Sequence, residues 1–323
     1  MTISRRKFIS GAAAAASFAT FSRAARAACP FRVAVINDEI SQDFDHVCSV
    51  VAHDFGLEWI ELRSMWGKNV TDLPDADLNR AKTILAKYNL RVTDIASPLF
   101  KTDWPGAPLS KLSEHRDQFK ADFTFKQQED LLEHCIMLAK TFGTDRIRCF
   151  DFWRLDNVAP YRVAINEKLR DAARRCGRSN LILLLENEMS CNTATGEEAA
   201  DTLRAVPETN FMLNWDPGNA ATFPNSQPFP NGYNLLPKKR IGHCHAKNVI
   251  RKPDDKWEWA PVGTGVVDWA GQLAALQRDG YRYAVSLETH WRGAGTPEAS
   301  TRESWNGLKD ALIKSGAGTG CFA

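Results

Sequence analysis

Hydrophobic and polar positions alternate along this chain in two distinct rhythms. Short apolar runs end abruptly in a polar or charged residue. Longer stretches between them carry apolar residues at helical spacing. The clearest run is Ile182-Leu-Leu-Leu-Glu186, four apolar residues followed by a carboxylate. An unbroken run of that length fits a parallel strand covered on both faces. The same grammar recurs in Phe211-Met-Leu-Asn-Trp-Asp216, in Arg240-Ile-Gly-His243-Cys-His245 and in Tyr283-Ala-Val-Ser-Leu-Glu288. Upstream, strands are expected over 31–36, 57–63, 90–95 and 146–150. Helices are expected over 41–55 (capped by Ser41), about 75–88, 113–142, 160–176 (ended by Gly177), 195–206, 268–279 and 300–314. A Pro/Asn-rich loop fills 224–237. Eight strands alternating with helices predict an α/β chain with a parallel sheet, closed as a single (β/α)8 barrel. An open doubly wound sheet would want a glycine-rich turn after its first strand, and Asn37-Asp38-Glu39 is not one.

The first residues follow neither rhythm. Ser4-Arg5-Arg6-Lys7-Phe8-Ile9 is a twin-arginine pattern, followed by small, weakly apolar residues and then Ala25-Arg26-Ala27, a small-residue cleavage pattern. Residues 1–28 therefore read as a twin-arginine signal peptide and 29–323 as the barrel. The expected destination is periplasmic or secreted, through the twin-arginine export machinery. The apolar run is too short to span a bilayer, so no stable membrane association is expected after cleavage. Arg26, three residues before Cys29, argues against lipid attachment at that cysteine.

Composition changes little. The chain has 323 residues, 44% hydrophobic and 25% charged, with a net charge of +2, which gives no reason to expect a nucleic-acid partner. Its eight cysteines show no paired CxxC spacing, and their pairing is not readable. Cys149 and Cys244 fall inside strands as small buried hydrophobes. Ten tryptophans is a high count, and Trp66, Trp104, Trp153, Trp215 and Trp291 all fall at or after expected strand ends. They either fill the core or offer flat apolar walls to a sugar ring. Trp66 and Trp215 are the expected walls.

The chemistry lies at the ends of the last four strands. In parallel α/β folds the C-terminal strand ends carry the active site. Glu186, Asp216, His245 and Glu288 supply three carboxylates and one imidazole from four consecutive strands. That set suits one divalent ion of intermediate hardness: manganese, cobalt, zinc or magnesium, with manganese favoured. Lys247, Glu188 and His290 add polar groups beside them. Lys247 is expected either to steady an oxyanion or to pair with Glu188.

These residues resemble the xylose-isomerase-like TIM-barrel superfamily, the sugar phosphate isomerases and epimerases related to endonuclease IV. The resemblance covers 31–315. It is carried by Leu185-Glu186, Trp215-Asp216-Pro-Gly-Asn219, His243-Cys-His245-Ala-Lys247, Leu287-Glu288 and the glycine turn Gly263-Thr-Gly265-Val-Val-Asp268-Trp269. It implies that Glu186, Asp216, His245 and Glu288 are the metal ligands, with His243 a strand residue facing the barrel. It implies that Glu186 and Glu288 are the acid/base pair and that Arg251 binds substrate. Such a pair, one carboxylate above and one below a carbon, can move a proton from face to face next to a carbonyl. A bound cation stabilises the enediolate. Two positions depart from the epimerase pattern. Asn219 stands where the family has histidine, and Asn192 where it has an acid.

The expected function is thus a metal-dependent isomerase or epimerase acting on a non-phosphorylated sugar or polyol. An exported lyase that eliminates from a 3-keto-glycoside uses the same first proton abstraction. A barrel that binds sugar or metal without chemistry is the non-enzymatic alternative, and the intact ligand set argues against it.

Overall fold

Eight parallel strands form the wall of a barrel: β1 (Arg32–Val35), β2 (Trp59–Leu62), β3 (Arg91–Leu99), β4 (Arg146–Cys149), β5 (Ile182–Glu186), β6 (Phe211–Trp215), β7 (Ile241–Ala246) and β8 (Ala284–Leu287). The structure is a computed structural model that describes residues 29–113, 121–253 and 256–322. Each strand pairs in parallel with the next from β2 to β8, and β8 pairs with β1. A single parallel bridge, Ile36 to Glu61, joins β1 to β2 and closes the ring. This is the expected (β/α)8 TIM barrel. The proposed signal peptide lies outside the described residues. No helix among the described residues is long and apolar enough to cross a membrane.

Eight helices of more than one turn accompany the strands among the described residues: α1 (Phe44–Ser49), α2 (Asp75–Lys87), α3 (Gln128–Phe142), α4 (Arg162–Arg178), α5 (Gly196–Ala205), α6 (Pro217–Thr222), α7 (Trp269–Arg278) and α8 (Pro297–Lys314). Three expectations about them need correction. Asp43, not Ser41, caps α1, its carboxylate accepting from Asp45 N and His46 N. The helix expected over 113–142 begins only at Gln128. Residues 114–120 fall outside the described residues, and Thr124 and Gln127 form a capping box over a short 3-10 turn, which starts the helix there. Gly177 does not end α4, which runs on to Arg178. Asn180, with φ of 58°, makes the left-handed turn instead.

Two features position the site. Asp216 caps α6 by accepting from Asn219 N at 2.7 Å, so this short helix starts directly at the end of β6. Gly218 lets α6 lie against the end of β7: a Cβ there would stand 2.7 Å from Lys247 Cβ and 2.9 Å from Lys247 C. The second feature was not foreseen. After β7 the chain forms an antiparallel hairpin, Asn248–Arg251 with Trp257–Ala260, which stands over the strand ends. A disulfide joins Cys29, just before β1, to Cys321, after α8, and the other six cysteines are free and buried.

Candidate metal centre and active site

Glu186 is the last residue of β5, Asp216 follows β6, His245 lies in β7 and Glu288 follows β8. All four are buried, and their nearest donor atoms lie within 4.8 Å of one another. His245 Nδ1 stands 3.1 Å from Glu186 Oε1, 3.1 Å from Glu288 Oε2 and 3.9 Å from Asp216 Oδ2. The strand ends thus bring the sequence-derived quartet to one point.

The donor set fits a divalent ion. Ligands about 2.0–2.2 Å from one metal stand roughly 3–4 Å from each other, which is the spacing around His245 Nδ1. Glu186 Oε2, Asp216 Oδ2 and Glu288 Oε2 are buried and accept no well-directed hydrogen bond. Cations nevertheless stand beside each of them. Arg148 Nη1 is 3.0 Å from Glu186 Oε2, and Lys247 Nζ is 3.0 Å from Asp216 Oδ2 and 2.6 Å from Glu288 Oε2. An ion and the Lys247 ammonium would therefore compete for two of these oxygens.

The electrostatics follow from this crowding. Burial pushes Glu186 up, but His245 and then Arg148 outweigh it and hold its carboxyl at about 2. Glu288 is likewise held well below the carboxylate range, burial being overcome by Lys247, His290 and His245. Asp216 moves the other way, to about 6, because burial and the two neighbouring glutamates outweigh Lys247. Lys247 does not pair with Glu188, as one reading of the sequence had it. Glu188 pairs with Lys101 at 2.8 Å.

The first half of the barrel contributes residues that the sequence reading missed. Arg63, just after β2, is buried and donates to Asp38, Glu39 and Glu288, the last at 2.5 Å. Arg148, within β4, donates to Ala96 O and Ser97 O while facing Glu186. Glu61, in β2, faces His245 Nε2 at 3.0 and 3.2 Å. Burial disfavours the charged imidazole, but Glu61, Glu186 and Glu288 outweigh it and hold His245 protonated well above the usual histidine range. With Nε2–H directed at Glu61, an arriving ion would displace the Nδ1 proton and take the nitrogen that faces the other three candidate ligands, a carboxylate–histidine arrangement that suits metal binding. His243 faces the barrel as expected, 3.0 Å from Glu61 and 3.1 Å from Ser286 Oγ.

The two departures from the epimerase pattern have clear local roles. Asn219 donates to Glu186 Oε1 at 3.2 Å and accepts from Lys247 Nζ at 2.9 Å, bridging two charged groups of the site. Asn192 lies away from the quartet. It donates to the carbonyls of Asp151, Phe152 and Trp153 and accepts from Leu155 N, which fixes a loop.

A cavity of about 210 Å3 opens above the quartet, lined among others by Glu186, Glu288, Lys247, Glu188, His290 and Arg148. Lys247, Glu188 and His290 are thus where the sequence placed them. The expected tryptophan walls are not. Trp215 is fully buried and donates to Gln272, as a core residue. Trp66 packs edge-on against Phe44 beneath the Arg80 guanidinium. Trp257 and Trp259 of the hairpin line the cavity instead, edge to face with centroids 4.8 Å apart. They alternate along one strand, so both side chains fall on the same face. Arg251 is not in this cavity. It lines a neighbouring one and donates to the carbonyls of Ala221, Phe223 and Ser226.

Residues 50–311 match the family model described as xylose isomerase-like TIM barrel. The chain belongs to this family. Comparison with curated proteins finds no match. Among solved structures, a xylose isomerase-like TIM barrel protein from Mycobacterium smegmatis in complex with magnesium is 18% identical, with a TM-score of 0.61, over 83% of this chain and 89% of that one. D-psicose 3-epimerase in the presence of D-fructose is 14% identical, with a TM-score of 0.63, over 88% and 99%. The probable 3-DHS dehydratase AsbF from Bacillus anthracis is 22% identical, with a TM-score of 0.61, over 84% and 97%. At these identities the likeness is one of fold. The xylose isomerase-like barrel accommodates both an epimerase and a probable dehydratase, so the fold alone does not choose a reaction.

Proposed function

We propose that this protein is a metal-dependent isomerase or epimerase acting on a non-phosphorylated sugar or polyol. The observation that carries the reading is the convergence of Glu186, Asp216, His245 and Glu288 at the floor of a cleft that both glutamates line. Glu186, Asp216, His245 and Glu288 would hold one divalent ion, manganese favoured. The ion would supply positive charge to the substrate's oxygens as the carbonyl gains electron density.

The protein's own residues would handle the proton. Glu186 and Glu288 approach the site from different strands, β5 and β8. One carboxylate takes the proton from the carbon next to the carbonyl, and the C–H electron pair moves toward the carbonyl oxygen. The other carboxylate returns a proton. Arg148 and Arg63 hold the two glutamates in place. The cleft's basic side chains Lys101, Arg148 and Lys247 are balanced by Glu188, Glu186 and Glu288, which suits a neutral sugar better than a sugar phosphate.

Incubation of manganese-loaded protein with keto-sugars and 3-keto-glycosides in deuterated water tests the reading. Deuterium should enter the carbon next to the carbonyl, and metal-replete protein that labels none of these sugars would sink it. Release of an aglycone alongside labelling would assign elimination rather than epimerisation. We also place the protein outside the cytoplasm, by the twin-arginine route. The Cys29–Cys321 bond supports this, since disulfides persist in oxidising compartments. Replacing Arg5 and Arg6 with lysine should retain the protein in the cell, and unchanged export would remove this placement.

A further inference from the structure

The cleft has two chambers. The inner one, of about 210 Å3, lies over the candidate metal ligands. The outer one, of about 640 Å3, is bounded by Lys111, Ala221 and Arg251. Leu112, Met189, Thr222 and Trp257 line both, so the two chambers adjoin across these side chains. The inner chamber is below the usual range of about 300–1,000 Å3 for a small-molecule site, and the two together fall inside it.

The outer chamber is built rather than incidental. Arg251 lies on the hairpin opposite Trp257 in the strand register. Its guanidinium donates to Ala221 O at 2.8 Å, Phe223 O at 3.3 Å and Ser226 O at 2.9 Å. Those bonds fasten the last turn of α6 and the segment after it to the hairpin, so the two walls of the chamber are tied to each other. Trp257 is half-buried and lines both chambers, whereas Trp259 lines only the inner one. An aromatic side chain bordering both spaces can meet two linked rings in succession.

We propose that the substrate is a glycoside of two linked units. The reacting sugar occupies the inner chamber over Glu186 and Glu288, and the second unit, a further sugar or an aglycone ring, occupies the outer chamber beyond Trp257. This rests on the sugar-enzyme reading given above and adds the substrate's size and linkage. The free monosaccharide would leave the larger chamber to water and forgo contact with the residues that line it alone, Lys111, Ala221 and Arg251 among them.

Titration calorimetry of the manganese-loaded protein tests this with three non-reacting probes: methyl β-D-glucoside, phenyl β-D-glucoside and methyl β-cellobioside. The readout is the ratio of affinities. The phenyl glucoside and the methyl cellobioside should bind at least about tenfold more tightly than the methyl glucoside, equivalent to about 1.4 kcal/mol. Trp257→Ala should bring that ratio close to one. Lys111→Trp, at an exposed residue lining only the outer chamber, should do the same by filling it, and keeps the test decisive should the first variant fold poorly. Equal affinities for all three probes in the unaltered protein overturn the two-chamber proposal and leave the enzyme reading standing. A preference that survives both variants also overturns it. Failure of every probe to bind overturns the two-chamber proposal, while the enzyme reading stands or falls on the deuterium-labelling test.

Discussion

The two halves of the barrel contribute opposite charges to the same place. The second half, β5 to β8, supplies the acids and the imidazole: Glu186, Asp216, His245 and Glu288. The first half supplies the guanidinium groups that hold the two glutamates. Arg63 follows β2 and pairs with Glu288, and Arg148 in β4 pairs with Glu186. Lys101, after β3, pairs with Glu188 at the cleft wall. The division has exceptions: Lys247, a cation from the second half placed between Asp216 and Glu288, and the first-half acids Glu61, which faces His245, and Asp38 and Glu39, which share Arg63. The division teaches how three buried carboxylates can be held together before any ion arrives. Their mutual repulsion is offset by cations fixed on the facing strands.

Removing an acid from the second half should have the largest effect. Glu288→Gln keeps an oxygen near the site but removes the basic carboxylate. Turnover should fall by about 10²–10⁴, the usual worth of a positioned acid or base, while metal content measured by mass spectrometry falls much less. Near-normal turnover in metal-replete protein would move the proton-transfer role to another group.

Removing a cation from the first half should act on stability instead. Arg63→Met leaves Asp38, Glu39 and Glu288 buried without their shared partner. Loss of one member of a buried charge cluster costs about 3–5 kcal/mol, to be read by urea unfolding of the metal-free protein. Added manganese should recover part of that loss by binding the folded state. Equal stability of the variant and the parent would break the proposed division of labour.

Lys247→Met tests the exceptional cation. A neighbouring charge of this kind moves a carboxylate pKa by about 1–3 units, so removing the ammonium should tighten manganese binding by about tenfold in calorimetry. Weakened binding would mean that Lys247 supports the ligands rather than opposing the ion. The smallest effect is expected at the rim. Glu188, the partner of Lys101, is partly exposed. Lys101→Met should therefore lower unfolding free energy by about 1 kcal/mol and leave manganese affinity within about twofold. A larger change in affinity would extend the counter-ion set to this strand.

This division explains what was legible in the sequence. A buried parallel strand ending in a metal-competent side chain is an unusual local pattern, and four in succession are visible in Glu186, Asp216, His245 and Glu288. Arg63 and Arg148 carry no such mark. An arginine at or inside a strand looks the same whether it faces solvent or a buried acid, and only closure of the barrel decides. Glu61 is similar, because its contact with His245 crosses the interior from β2 to β7. The tryptophans failed for a related reason. Position after a strand end does not say which layer a ring enters, so Trp215 went to the core while Trp257 and Trp259 lined the cleft. Their hairpin has an alternating strand of four residues, 257–260, too short to stand out inside a long connection.

The Cys29–Cys321 bond makes the described chain a covalent ring. A single proteolytic cut in a surface loop of such a ring opens it into a line but releases no fragment. The two barrel halves would stay tethered, and a nicked molecule would refold as one body at any dilution. Under reducing conditions the same cut produces two separate pieces whose reassembly depends on concentration. The bond therefore protects against loss of chain more directly than against unfolding, an advantage that grows where proteases are abundant and replacement protein is not made on site.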